Sequence, residues 1–221
     1  TDLDVYCLGP GLPAGAADPT NRALPIDSLS ALLANYPVAG GDRVYVDTGQ
    51  YTATATNPIV IDDRNTGSTE SPLVIQGSTN VLAGGTRFVG NGTTNGITIR
   101  NARSIQLSYF RIRGAQNGIS ALNSAELALS EMELYNNQTN GLLVSGVAGL
   151  DLRNARMWGN GQFGYNSVGS KGAERLTHAT IWGNRDGAVS TDKGLSVSNS
   201  ILGVTNLAPI YVEIGMSASI R

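Results

Sequence analysis

One cysteine, Cys7, and one histidine, His178, are all that the chain contains of two residue types that build many metal and thiol sites. A lone cysteine closes no internal disulfide and makes no cysteine-based metal site. Charge is scarce as well: 14% of residues are Asp, Glu, Lys or Arg, with a formal net charge of −2. That balance offers no electrostatic footprint for nucleic acid or an anionic membrane surface. No apolar run approaches the roughly 20 residues of a membrane span, so no membrane insertion is expected. A secretory signal is not expected either, because Thr1-Asp2-Leu3-Asp4 is neither basic nor followed by an apolar segment. What the chain has in quantity is glycine, 28 of 221 residues. Much glycine with little charge suits many short strands joined by tight turns.

Those glycines are periodic. Gly96, Gly118, Gly141, Gly164 and Gly187 recur at intervals of 22, 23, 23 and 23 residues. Each opens an apolar alternation: Ile97-Thr98-Ile99, Ile119-Ser120-Ala121, Leu142-Leu143-Val144, Tyr165-Asn166-Ser167 and Ala188-Val189-Ser190. A second alternation follows at Ile105 and Leu107, Leu127 and Leu129, Leu150 and Leu152, and, one residue late, Glu174 and Leu176. A third falls at Phe110 and Ile112, Met132 and Leu134, Ala155 and Met157, and Ala179 and Ile181. Three short strands per period is the signature of a parallel β-helix. A leucine-rich repeat would need an Asn inside a leucine frame and a helical segment, and the repeating stretch shows neither. The expected fold is therefore all-β: a single-stranded right-handed parallel β-helix of about 22–23 residues per coil.

One helix is expected, over residues 26–36, with Asp27 or Ser28 accepting from the first-turn N–H groups. Leu29, Leu32, Leu33 and Tyr36 form its apolar stripe, and Pro37 stops it. An open solenoid leaves strand edges and core uncovered at its ends, so this helix is the candidate N-terminal cap. The organisation expected is one domain over residues 1–221. It comprises an N-terminal segment with the capping helix (1–40), irregular first coils (41–94), regular coils (95–206) and a final strand (207–221). Val5-Tyr6 is a candidate strand and Gly9-Pro10-Gly11-Leu12-Pro13 a loop, while 62–71 and 78–86 read as polar loops. The last segment ends without a cap-like helix, which makes end-to-end self-association through the C-terminal strand an expected partner mode.

The helix followed by Gly41-Asp42-Arg43-Val44-Tyr45-Val46-Asp47-Thr48-Gly49-Gln50-Tyr51 resembles the opening of right-handed parallel β-helix proteins of the pectate-lyase-like superfamily. Asp4-Val5-Tyr6-Cys7 and the leucines of the helix bring the chain nearer to the β-helix modules of very large secreted bacterial surface proteins. The resemblance implies an extracellular or cell-surface location. It also implies a structural or adhesive role with polysaccharide or cell-surface glycan as partner. Lyases of the superfamily use Lys, Arg or His bases with carboxylates that often hold calcium, so a calcium-assisted polysaccharide lyase on an acidic glycan is the alternative.

Stacked coils turn sequence spacing into columns. One outward column reads Arg111, Glu133, Arg156, Thr180, with Glu133 between two guanidinium groups at a strand spacing of about 4.8 Å. It is either a solvated ladder of ion pairs, each worth well under ~1 kcal/mol, or an active-site face. The neighbouring column is Tyr109, Glu131, Asn154, His178, Asn199. His178, with Arg175 and Lys171 in the irregular coil before it, is the candidate general base. No aspartate pair or trio suits paired-carboxylate hydrolysis. A third column, Arg113, Tyr135, Trp158, Trp182, holds both tryptophans. Tyr135, Trp158 and Trp182, bordered by Arg156 and Glu133, are the carbohydrate-binding candidates. The rings either pack at a corner or lie exposed, and partial burial with weak quenching is the expectation. Asn136-Asn137, Gly159-Asn160 and Gly183-Asn184 read as turns whose stacked amides hydrogen-bond along the column. Asp62-Asp63 and Asp2/Asp4 could touch calcium, but no calcium-loop motif surrounds them. Asn91-Gly92-Thr93 and Asn137-Gln138-Thr139 match the glycosylation sequon.

Overall fold

A computed structural model describes residues 4–7, 28–203, 210–212 and 219–220, the short terminal strands by their backbone alone. Three parallel sheets make up the molecule. Sheet one has nine strands: Asp4–Cys7, Arg43–Val46, Leu73–Gly77, Arg103–Ser108, Ala125–Ser130, Ala148–Arg153, Glu174–Thr177, Leu195–Ser198 and Ser219–Ile220. Sheet two has seven: Gly49–Ala53, Thr86–Gly90, Phe110–Arg113, Glu133–Tyr135, Arg156–Trp158, Thr180–Trp182 and Ile201–Leu202. Sheet three has seven: Val60–Ile61, Ile97–Arg100, Ile119–Leu122, Leu142–Ser145, Phe163–Val168, Gly187–Thr191 and Ile210–Val212. The chain visits sheets one, two and three in turn, so each coil lays its strands on the equivalent strands of the coil before. The result is the expected solenoid. Ile97, Ile99, Ile105, Leu107, Leu127, Leu129, Leu150, Leu152, Met157 and Ile181 all point inward, none more than 3% exposed.

The corners follow from local chemistry. Between sheets one and two the chain turns on one left-handed residue per coil: Tyr109 (φ 63°), Glu131 (53°), Asn154 (50°), His178 (54°) and Asn199 (49°). Between sheets two and three, Asn137, Asn160 and Asn184 are buried and bonded in series. The Asn137 amide donates to Asn160 Oδ1 at 3.0 Å, and that of Asn160 to Asn184 Oδ1 at 2.8 Å. Backbone groups buried at a corner need partners, and the ladder supplies them. Asn137, 3% exposed, is thereby closed to glycosylation, whereas Asn91 is exposed. The periodic glycines lie where coils approach most closely. A Cβ at Gly118 would stand 2.6 Å from the Gly141 carbonyl oxygen, and one at Gly141 2.6 Å from that of Gly164.

The last of these glycines departs from the expected register. Gly187 opposes Phe163, and Val189 opposes Tyr165. The loop before Glu174 carries one extra residue, and the strands from Glu174 to Thr191 are displaced by one. Ala188 therefore sits where a glycine was expected. The helix is shorter than its pattern, spanning Leu29–Asn35, with Ser28 Oγ accepting from Ala31 N at 3.3 Å. Tyr36, extended before Pro37, is 36% exposed and leaves the apolar stripe. Leu29, Leu32 and Leu33 are buried over Val60–Ile61, which ends sheet three. Ser30 Oγ and Asn65 Nδ2 fasten this cap by donating to the Pro58 and Val38 carbonyls. Sheet one extends one strand beyond it, Asp4–Cys7. The loop at residues 9–13, the cap residue Asp27, the side chains of Asp4 and Cys7, Asp2 and the end at Arg221 lie outside the described residues.

One inward position breaks the apolar row. Glu174, in register with Leu150 and Leu195, is 1% exposed. Ser167 Oγ donates to its Oε1 at 2.7 Å, while its Oε2 and the Tyr165 hydroxyl are buried without partners. Burial, together with the nearby Glu174 carboxylate, pushes the Tyr165 phenol well above its usual range. A carboxyl in an apolar row costs stability. Substitutions in this row should therefore have opposite signs. Leu152→Ala is expected to lower unfolding free energy by about 2–5 kcal/mol. Glu174→Leu is expected to raise it by about 1 kcal/mol, both read from urea midpoints.

On sheet one, Glu126 accepts from Arg103 at 2.6 and 3.1 Å, from Ser104 Oγ at 2.5 Å and from Thr69 Oγ1 at 3.2 Å, tying the 62–71 loop to the coil. The Arg103 guanidinium first, then the Ser104 hydroxyl, draw its pKa down to about 2. Its folded pKa is below its unfolded one, so its contribution is present above about 4.5 and disappears as pH falls towards about 2. Glu126→Gln is expected to lower the urea midpoint at pH 7, and the gap from wild type should close between pH 4.5 and 2.

Candidate functional site

Sheet two turns two columns of chemistry outward. The first runs Gln50, Arg87, Arg111, Glu133, Arg156, Thr180, Ile201, each residue in register with the next. Two residues along each strand, the second runs Thr52, Val89, Arg113, Tyr135, Trp158, Trp182. The alternation of a β-strand places both on the same side.

In the first column Glu133 lies between Arg111, whose Nε is 3.2 Å from its Oε2, and Arg156, which bonds to Oε1. The carboxylate side chain is only 14% exposed. Arg111 also donates to the Gly84 carbonyl at 3.1 Å, and so reaches the loop between Leu73–Gly77 and Thr86–Gly90. That loop, with Ser78, Val81 and Gly85, walls a cleft of about 90 Å³. Tyr109, Arg111, Glu131, Glu133, Asn154 and Arg156 line its other sides. Asn154 Nδ2 donates to Glu131 Oε1 at 2.8 Å across neighbouring coils. The volume suits a carboxylate or one edge of a sugar, not a whole oligosaccharide. Arg87 continues the column, and its Nε is buried without a partner. Three guanidinium groups thus share the column with a single carboxylate, which Arg111 and Arg156 flank.

The sequence brought Arg111, Glu133 and Arg156 together correctly. It did not show the overhanging loop, whose 78–86 residues carry no repeat, nor Arg87. The outward position of Arg87 in Thr86-Arg87-Phe88 is the signal that could have placed it.

In the second column the aromatic rings are stacked. Tyr135 and Trp158 have centroids 4.5 Å apart and planes at 7°, and Trp158 and Trp182 are 5.1 Å apart at 11°. These separations match the strand spacing of about 4.8 Å, so the stack runs along the solenoid axis. Each ring therefore covers the face of its neighbour. Of the two arrangements the column allowed, the rings form a stack that turns their edges, not their faces, to the side. Tyr135 and Trp158 are half-buried, and Trp182 is 39% exposed.

The remaining candidates sit elsewhere. His178 is exposed at the corner between sheets one and two. Arg175 points outward on sheet one, in register with Asp151, which is instead bonded to Arg153 at 2.5 Å. Lys171 lies before that strand, at the opposite corner. The strand Glu174–Thr177 runs between Lys171 and His178, which lie before and after it. The structure does not bring these three together. Asp62, considered for calcium, is 6% exposed and pairs with Arg64 at 3.0 Å and Arg100 at 3.6 Å. Hydrogen bonds from the Arg64 guanidinium hold its carboxyl below the usual range. Among the described residues no three His, Cys, Asp or Glu side chains gather to hold a metal ion, and no helix is long and apolar enough to cross a membrane.

The tryptophan geometry has a direct optical consequence. Acrylamide is expected to quench one emitting population readily and the other weakly, and Trp182→Phe should remove the accessible one. Equal access for both rings would contradict the stack.

Several solved structures share this architecture. Pectate lyase Pel9A superposes with a TM-score of 0.65 at 14% identity, covering 98% of this chain and 57% of that one. The alginate lyase from Paenibacillus sp. str. FPU-7 gives 0.55 at 12% identity, over 87% of this chain and 90% of that one. A rhamnogalacturonan lyase gives 0.52 at 12% identity, over 99% of this chain and 67% of that one. The chain spans a little over half of the pectate lyase's length. Curated protein sequences contain no match to it. Residues 95–216, more than half of the chain, match the model of the right handed beta helix region. Together with the three parallel sheets and repeated coils, this match places the chain in the right-handed parallel β-helix family.

Proposed function

We propose that the protein is a carbohydrate-contacting β-helix, working as a non-catalytic, adhesive or structural module of a larger extracellular bacterial protein. The observation that carries this reading is the outer side of sheet two. Guanidinium groups of Arg87, Arg111 and Arg156, the Glu133 carboxylate and an aromatic stack stand there in two adjacent columns. Aromatic rings with charged hydrogen-bonding groups beside them suit a polyhydroxylated ligand, and the excess of guanidinium suits one that carries carboxylates. Solved structures of similar fold are named for enzymes acting on pectate, alginate and rhamnogalacturonan, which supports a polysaccharide as the ligand class. The non-catalytic part rests on the dispersal of Lys171, Arg175 and His178 before, on and after one strand of sheet one, and on the mutual pairing of Arg111, Glu133 and Arg156.

A calcium-assisted lyase on an acidic glycan is the second reading, favoured by one feature. The cleft under the 78–86 loop gathers two carboxylates, two guanidinium groups and Tyr109. Electrophoresis through gels containing pectate, alginate or rhamnogalacturonan, beside incubation of each polymer with calcium, separates the two. Retarded migration with no rise in absorbance from unsaturated product is the expected result. Arg111→Ala combined with Arg156→Ala should abolish the retardation. Sustained product formation that His178→Ala or Arg111→Ala eliminates would replace the first reading with the second.

A further inference from the structure

The charged column of sheet two is open at one end and covered at the other. On the C-terminal side the Arg156 side chain is 58% exposed. On the N-terminal side the column runs under the 78–86 loop. Arg111 donates to the Gly84 carbonyl at 3.1 Å, and a Cβ on Gly85 would stand 3.8 Å from its Nε. One coil earlier, a Cβ on Gly84 would meet the Arg87 guanidinium at 3.6 Å, and the Nε of Arg87 is buried. Left-handed backbone at Gly84 and Gly85 turns the loop across the column there. Thr86 Oγ1 anchors its end, accepting from Ser78 N at 2.7 Å and donating to the Val46 carbonyl at 2.9 Å. The cleft of about 90 Å³ is therefore a groove with one blind end, closed over Arg111 and open past Arg156.

The walls of this groove differ in chemistry. On the loop side stands Val81, an apolar side chain 56% exposed. On the coil side stand Tyr109, Glu131 and Asn154. The bond from Asn154 Nδ2 to Glu131 Oε1 at 2.8 Å fixes those two groups relative to each other. Among the described residues, Glu131 Oε2, Asn154 Oδ1 and the Tyr109 hydroxyl make no hydrogen bond. Three oxygens that can bond hydroxyl groups, set beside one apolar wall, match the edge of a sugar ring. Such a ring carries hydroxyls along its rim and C–H groups on its face.

We propose that this blind cleft receives the terminal ring of a glycan, so that the protein recognises chain ends and not interior stretches. The inference rests on the carbohydrate reading above and deepens it by naming what part of the polymer is bound. The last ring enters under the loop, its hydroxyls meeting Tyr109, Glu131 and Asn154 and its C–H groups meeting Val81. The rest of the chain leaves over Arg156, where the column is open and a guanidinium stands ready for the acidic groups of the following rings. An interior ring carries a neighbour on both sides. The neighbour directed towards Arg111 would run into the backbone at Gly84 and Gly85, which is bonded down onto the column.

The test uses the full chain and whichever of pectate, alginate or rhamnogalacturonan retards it, with short oligomers of that polymer as competitors. Concentrations are counted as moles of chains. Oligomer and polymer are expected to compete equally on that basis, because each chain offers one end of the required kind. Either borohydride reduction, which opens the ring at the reducing end, or a lyase-made double bond at the opposite end should weaken oligomer binding about tenfold. Tyr109→Phe, which removes one hydroxyl and keeps the ring, should weaken it severalfold. Replacing residues 79–84 by two glycines opens the blind end, and the polymer should then compete better than the oligomer in proportion to its length. If the shortened loop prevents folding, the end modifications and Tyr109→Phe decide alone. A wild type that already prefers the polymer in proportion to length, and ignores both end modifications, overturns end recognition and leaves the carbohydrate reading standing. Failure of the wild type to bind any of the three polymers overturns that reading and end recognition together.

Discussion

The register of one coil on the next is the constraint from which the rest of this structure descends. Parallel strands about 4.8 Å apart exchange backbone hydrogen bonds along three sheets, so every residue is held directly above its equivalent. A side chain in such a fold is never alone. It is a member of a column, and its energy depends on what stands one coil away. Leucines become continuous apolar rows, and asparagines become the chain from Asn137 through Asn160 to Asn184. Aromatic residues at intervals of one coil become a stack, and alternating charges become the Arg111–Glu133–Arg156 ladder.

The same constraint explains where the structure is under tension. Five non-glycine corners adopt left-handed backbone because a single residue must redirect the chain between sheets one and two in each coil. Their identities range from Tyr109 to His178, so the column tolerates side-chain variety while demanding one conformation. Glu174 is a different kind of exception. Stacking forces it into an apolar row once the loop before it gains a residue, and Ser167 and Tyr165 are the polar neighbours it finds there. The insertion and the buried carboxyl occur in the same coil.

The functional side of the molecule is likewise a product of columns, modified where the repeat fails. The regular coils supply the guanidinium and aromatic rows. The irregular 78–86 loop folds over them and converts a flat ladder into a cleft, held by the bond from Arg111 to the Gly84 carbonyl. Regularity builds the surface, and the interruption at this loop shapes it.

Periodicity made the coil, the inward rows, the asparagine turns and the order of the outward columns readable from the sequence, because each is set by local alternation repeated at a fixed interval. Ile105, Leu129 and Met157 could be assigned to the core, and Glu133 set between two arginines, before any coordinates. The register of Ala188, the exposure of Tyr36, the burial of Glu174 and the overhang of the 78–86 loop could not. Each depends on how an insertion or an irregular segment is absorbed by neighbouring coils, which is a matter of packing. The aromatic column shows the division most plainly. Its membership was written in the spacing of Tyr135, Trp158 and Trp182. Whether the rings lie face outward or on one another is decided by the contest between solvent and the adjacent ring, and only the assembled solenoid brings that ring within reach.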